Sequence, residues 1–176
     1  MKYSTFIYSI LITILFTSCH KDADDVKPIS YFCAELNGKQ WQAQIGVYID
    51  NGDKFSIVAQ TSKRKILQDW LNIAYIPIAK GRTPLDFLLK DSAVFNVGGT
   101  NYRTLQEDGE YPCDQYTLVM SDSVNNHVEI TDFDLDKKTF KGTFSGTYVR
   151  STTNICDATK PDTMKFRKGK FNIRMK

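Results

Sequence analysis

Apolar and polar residues alternate with a period of two through Ser30 to Ile49, SYFCAELNGKQWQAQIGVYI, the pattern of strands with one buried face. Asn37-Gly38 interrupts it with the two residues that best supply the paired positive φ angles of a type I′ hairpin turn. That turn sets a register: Leu36 faces Lys39, Ala34 faces Trp41 and Phe32 faces Ala43. Ile45, Val47 and Ile49 continue the core face. Tyr31, Cys33 and Glu35 stand on the other face with Gln40, Gln42 and Gln44, so Cys33 is expected outside the core.

A second Asn-Gly, at Asn51-Gly52, precedes Phe55, Ile57 and Ala59. A two-residue loop there would set Ile49 against Lys54 and mix the two faces. One extra residue pairs Asp50 with Lys54, Ile49 with Phe55 and Val47 with Ile57, which predicts a bulged three-residue turn. Ser62 to Ala74 fits both periods, but Leu71, Ile73 and Tyr75 before Pro77 favour a strand ending near Ile76.

Short apolar runs follow at Asp86 to Lys90, Ser92 to Val97 and Gln115 to Met120, and then a long hairpin from His127 to Val149. Phe140, Gly142, Phe144, Gly146 and Tyr148 share one of its faces. The last strand, Met164 to Met175, changes phase between Phe166 and Phe171, which places a bulge at Gly169. The whole reads as all-β, an antiparallel β-sandwich or flattened barrel of roughly eight strands in a single domain over 30–176.

The residues before this domain follow another logic. Thr5 to Phe16 is almost unbroken apolar sequence, shorter than the ~18 residues that a spanning helix needs, and it ends in the small residues Thr17 and Ser18. That is the shape of a signal peptide over 1–18. Leu15-Phe16-Thr17-Ser18-Cys19 resembles a bacterial lipobox, which makes Cys19 the expected acylation (palmitate) site. Residues 19–29, with HKDADDVK, read as a flexible acidic tether. Lys21-Asp22-Ala23-Asp24-Asp25 also resembles the acidic signal that sends Bacteroidota lipoproteins to the outer face of the outer membrane. The expected location is the outer membrane, lipid-anchored, exposed at the cell surface or facing the periplasm.

The chain has 176 residues, 12% of them aromatic, and a net charge of +3. That charge gives no field strong enough to point to nucleic acid. FxAxLNGKxW, ITDFDLDKKTFKGTFSG and KGKFNI, taken together, are similar to a family of small Bacteroidota lipoproteins. This resemblance implies an all-β domain behind a lipid anchor and carries no catalytic residues with it.

The candidate chemistry is sparse. His20 lies in the tether and His127 in a predicted turn, so no Ser-His-Asp or Cys-His arrangement and no His-rich zinc site can be assembled. Gly98-Gly99 lacks the Lys-Ser or Lys-Thr of a phosphate loop. Asp132, Asp134 and Asp136 alternate with Phe133 and Leu135, the mark of a strand with a wet face. A calcium loop would need Gly and Glu where Lys137 and Thr143 stand. No metal and no cofactor is expected.

The last 13 residues hold six basic ones, and Lys165, Arg167, Lys170 and Arg174 form a possible basic binding face for anionic glycan or lipid headgroups, or a solvated face paired with neighbouring acids. Trp41 belongs to the core face, whereas Trp70 is open to a sugar-stacking role. Asp91-Ser92-Ala93, Asp122-Ser123-Val124 and Asp162-Thr163-Met164 resemble Bacteroidota O-glycosylation acceptors. With Cys19 acylated, Cys33, Cys113 and Cys156 can form at most one intramolecular disulfide. An orderly meander separates Cys113 from Cys156 and favours Cys33 as one partner; the Cys113–Cys156 pair needs Ser151 to Asp162 to fold back over the sheet.

Two functions follow from this. One is a non-enzymatic, membrane-anchored β domain that binds a glycan, peptide or partner protein. The other is a glycan-acting hydrolase using two carboxylates, which sequence cannot locate because their separation in space defines them.

Overall fold

The computed structural model of the chain describes residues 30–50, 52–86, 100–152 and 155–175. It is all-β, with ten strands among the described residues: β1 (Tyr31–Leu36), β2 (Lys39–Asp50), β3 (Lys54–Lys63), β4 (Ile66–Pro77), β5 (Gly81–Pro84), β6 (Asn101–Leu105), β7 (Pro112–Leu118), β8 (His127–Asp134), β9 (Thr139–Arg150) and β10 (Thr163–Arg174). They form one antiparallel sheet in the order β10-β1-β2-β3-β4-β6-β7-β9-β8-β5, and β10 also pairs with β9. That extra pairing turns β1, β2, β3, β4, β6, β7, β9 and β10 into a closed ring, with β8 and β5 as a side extension. None of the described residues forms a helix long and apolar enough to cross a membrane.

The first two hairpins have the expected registers. Phe32 pairs with Ala43, Ala34 with Trp41 and Leu36 with Lys39, around Asn37 and Gly38 at φ 49° and 78°. Asp50 pairs with Lys54, Ile49 with Phe55 and Val47 with Ile57, with Gly52 at φ 80° in the loop. Ile49 is a correction: it is 53% exposed, not core. β1 covers β2 only as far as Ala43, so the far end of β2 is an open edge, while its partner Phe55 on β3 stays buried.

Cys33 is also corrected, being only 3% exposed, though it is not a member of the interior hydrophobic cluster. Ring closure makes β1 a central strand, and Cys33 sits level with Gln42 on one side and Lys170 on the other. β5 and β6 were not expected from the sequence, and β7 starts earlier, at Pro112. The predicted run Ser92 to Val97, and that of Asp86 to Lys90 beyond Asp86, lie outside the described residues.

β7 and β8 lie end to end along one edge of β9. β7 pairs with Tyr148–Arg150 and β8 with Thr139–Ser145. Residues 119–126 loop out between them. Asn126 holds the gap: its Nδ2 donates to Val119 O at 2.7 Å, and its Oδ1 accepts from Thr147 N–H at 2.8 Å.

Inside the ring, Phe32 stacks on Phe144 at 4.5 Å between centroids, Phe55 stacks on Phe140 at 4.5 Å, and Trp41 meets Phe166 edge-on at 5.1 Å. Trp41 is core, as its face predicted. Glycines make room for these rings. A Cβ at Gly142 would lie 2.2 Å from Glu129 O and 2.5 Å from Phe171 Cζ. At Gly169 it would lie 2.4 Å from the Phe144 ring. The bulge of β10 falls between Phe166 and Gly169, but the positive φ, 52°, belongs to Lys168. Gly169 is therefore required by Phe144 and not by the bulge.

Gly142→Ala should lower stability by about 3 kcal/mol, the upper end of what overpacking costs, because backbone and ring both obstruct the methyl group. Urea denaturation of the two proteins measures it; an unchanged midpoint would show that the β8–β9–β10 junction is loosely packed.

Candidate functional site

Strand alternation sends polar side chains into one end of the ring. Thr61, Asp69, Tyr102, Thr104, Asp114 and Tyr116 share the inward phase of β3, β4, β6 and β7 with buried Ala59, Leu71 and Leu118. Thr61 Oγ1 donates to Asp69 Oδ2 at 2.8 Å. Burial and then Asp69 push the Tyr102 phenol well above its ordinary pKa. Asp114 is fully buried. It accepts from Thr104 Oγ1 at 3.2 Å and Cys156 N–H at 3.2 Å, and it faces Arg150 Nη1 at 3.6 Å.

Each inward carboxylate is thus already engaged by its neighbours. An isolated buried carboxylate would be costly, so hydrogen bonds and a guanidinium are what Asp114 requires. Burial pushes Tyr116 up to about 12, with Asp114 adding to the shift. Three buried polar side-chain atoms among the described residues, Trp41 Nε1, Thr100 Oγ1 and the Tyr148 hydroxyl, have no hydrogen-bond partner, and the Trp41 and Tyr148 rings pack on Phe166.

A second polar cluster lies outside the ring, at the 119–126 loop. Thr147 Oγ1 and Asn125 Nδ2 donate to the two oxygens of Asp122, and these bonds hold its carboxyl below the usual range. Arg167 donates to Phe166 O at 2.8 Å, Gly146 O at 3.1 Å and Thr147 Oγ1 at 2.8 Å, and stands 3.5 Å from Asp122 Oδ2. His127 pairs across the sheet with Ser145. Their side chains are turned to other partners: Ser145 Oγ donates to Phe166 O at 3.0 Å, and His127 Nδ1 lies 3.0 Å from Arg82 Nη2. Guanidinium only donates, so Nδ1 accepts and the ring proton sits on Nε2. Burial and then Arg82 lower the His127 pKa, favouring the neutral ring.

The four residues of the candidate basic face divide. Lys165, Lys170 and Arg174 are exposed, but Arg167 is half-buried and bound to the loop cluster. Neighbouring Lys168 is bridged to Glu35 at 2.8 Å. Asp132 and Asp134 lie on β8 and pair with Lys80 at 3.0 Å and Lys137 at 2.8 Å. Among the described residues, no three His, Cys, Asp or Glu side chains converge as a metal site would need. Of the glycosylation-like triplets, Ser123 is exposed in the loop, Thr163 opens β10, and Ser92 lies outside the described residues, as does Cys19.

One arrangement has no counterpart in any local motif. On the outer face of β3, β4, β6 and β7, Gln60 pairs with Trp70, Trp70 with Arg103, and Arg103 with Gln115, a straight row across four strands. The next row is Val58, Asn72, Asn101 and Thr117. Neither row holds a carboxylate. All four side chains of the first row are half-buried, and Trp70 stands outside the hydrophobic cluster.

The chain matches no protein-family model, no curated protein and no solved structure.

Asp122 gives a pH signature. Its folded-state pKa is lowered, so its charged form adds stability above the unfolded value of about 4, and that stability is lost as pH falls through the lower folded value. Asp122→Asn should therefore be less stable than wild type near neutral pH, and the gap should close on acidification below about pH 4. Denaturation curves across that range test it; a gap independent of pH would assign the effect to shape and not to charge.

Proposed function

We propose that this chain is a lipoprotein anchored through Cys19, whose β domain binds a glycan of the cell envelope without catalysing a reaction. The row Gln60–Trp70–Arg103–Gln115 carries the reading. An indole face flanked in register by amides and a guanidinium offers a flat apolar platform with hydrogen-bond donors and acceptors beside it, and no carboxylate repels an anionic chain. Trp and Arg are the side chains that most often dominate binding surfaces. A closed ring supports the platform on rigid strands.

The polar clusters support binding over hydrolysis. Asp69 and Asp114 are bonded into the fold, Ser145 Oγ donates to a carbonyl, and His127 is held by Arg82. The anchor rests on the lipobox-like Leu15 to Cys19, and the similarity to small Bacteroidota lipoproteins points to the outer membrane as its location. Two or three acyl chains at about 0.8 kcal/mol per buried methylene hold such a domain stably.

Trp70→Ala changes no interior residue, so the variant should fold as wild type and lose tenfold or more of its affinity for envelope polysaccharide. Affinity electrophoresis in gels containing that polysaccharide, with Arg103→Ala alongside, reads the change. Equal mobility of wild type and Trp70→Ala would remove the face from the proposal. Capture of a protein that both forms retain would shift the reading to a protein partner bound elsewhere.

The anchor is tested separately. Cys19→Ala should abolish labelling by palmitate and leave an uncleaved precursor with the same folded domain. Label retained by the variant would move the anchor from Cys19.

A further inference from the structure

β7 begins where β9 ends. Tyr116 pairs with Arg150, so Cys113 lies at the end of the ring from which the chain leaves β9. A meander would put β8 between these strands and send the two cysteines to opposite ends. Direct antiparallel β7–β9 pairing brings them to the same end.

The chain after β9 then folds back over that end. Ser151 N–H donates to Gln115 O at 2.7 Å and Arg150 N–H to Asp162 O at 2.8 Å. Tyr116 hydroxyl donates to Pro161 O at 3.2 Å, Arg150 Nη1 to Asp157 O at 2.8 Å, and Cys156 N–H to Asp114 Oδ1 at 3.2 Å. The Cys156 backbone is thereby bonded to the residue next to Cys113, which brings the two thiols close enough to act on each other. Cys113 is buried and Cys156 exposed.

We propose that Cys113 and Cys156 are a disulfide pair, a covalent staple that fixes the Ile155–Asp162 segment across the end of the ring and keeps Cys156 N–H on the buried Asp114 carboxylate.

The difference in exposure orders the chemistry. Cys156 is the thiol that an external disulfide reaches. Its thiolate attacks one sulfur of a disulfide oxidant, forms a mixed disulfide and expels the first thiol. Cys113 then attacks the Cys156 sulfur and expels the second. Two protein thiols lose two protons and two electrons; one oxidant disulfide becomes two thiols. Burial pushes the Cys113 thiol up to about 12, with the Cys156 thiol and Asp114 adding and Lys160 opposing; so little thiolate leaves Cys113 slow toward an external disulfide, and it reacts with the mixed disulfide because that is held beside it.

Full-length protein, purified reduced and exposed to oxidised glutathione, tests the pair independently of where the protein resides. Alkylation of remaining thiols and digestion without reduction should give one cross-linked peptide joining Cys113 to Cys156. The oxidised form should melt roughly 5–10 °C above the reduced form, as a long closed loop predicts. Cys156→Ser should lose both the cross-link and the shift. Alkylation of both thiols, a link from either to Cys33, or a melting temperature indifferent to oxidation would overturn the staple.

Discussion

A closed ring of strands has a fixed interior, and this one is filled by aromatic rings that fit only where the facing backbone has no Cβ. Phe171 occupies the space that Gly142 leaves, Phe144 the space at Gly169, and Tyr148 the space at Gly146, where a Cβ would lie 2.7 Å from its ring. The bulge between Phe166 and Gly169 serves this exchange, because it shifts β10 until Gly169 lies opposite Phe144. Phe166 can then meet Trp41, Tyr102 and Tyr148 edge-on at centroid distances from 5.1 to 5.8 Å. Packing at this junction fixes both pairing partners of β10, and with them the closure of the ring.

Closure also separates two polar environments. Inward carboxylates are confined to one end and must be satisfied by the fold itself, as Asp114 is by Thr104, Cys156 and Arg150. Outward groups keep the strand register but are free of that demand. A surface such as the Trp70 row can therefore vary in chemistry without disturbing the interior, which is the property a recognition surface needs. The Asp122–Thr147–Arg167 cluster lies between these cases: it faces outward, yet it holds the loop that interrupts the β7–β8 edge.

Legibility in the sequence tracked how local each constraint was. Asn37-Gly38 and Asn51-Gly52 state their turns in the chain itself, and alternation then fixes the registers of β1, β2 and β3, though not the burial of Cys33 or the exposure of Ile49. The glycine–aromatic alternation of β9 was equally plain. The β3–β4 turn was not: Arg64 and Lys65 take φ 52° and 70° with neither Asn nor Gly, so nothing marked a hairpin there. Tyr75, at φ 59°, likewise shifts the phase of β4 and puts Ile76 inside, without a glycine to announce it. Direct β7–β9 pairing lies beyond any periodicity, because it depends on a loop leaving the sheet and returning. Both the proximity of Cys113 to Cys156 and the alignment of Gln60, Trp70, Arg103 and Gln115 follow from pairings of that kind.

The pairing of β1 with β10 has a consequence for how the molecule is made. Phe32 lies against Phe171 and Tyr31 against Asn172, so the first described strand is completed by the last. Loop closure over such a separation is slow beside the formation of a local hairpin. A chain still emerging from the ribosome can form the β1–β2–β3 hairpins, but it lacks the strand that seals them. Until β10 arrives, the aromatic interior stays open and the chain can still be threaded as an extended polymer. Topology thus gives this domain a built-in delay, one that keeps it pliable until β10 has been made.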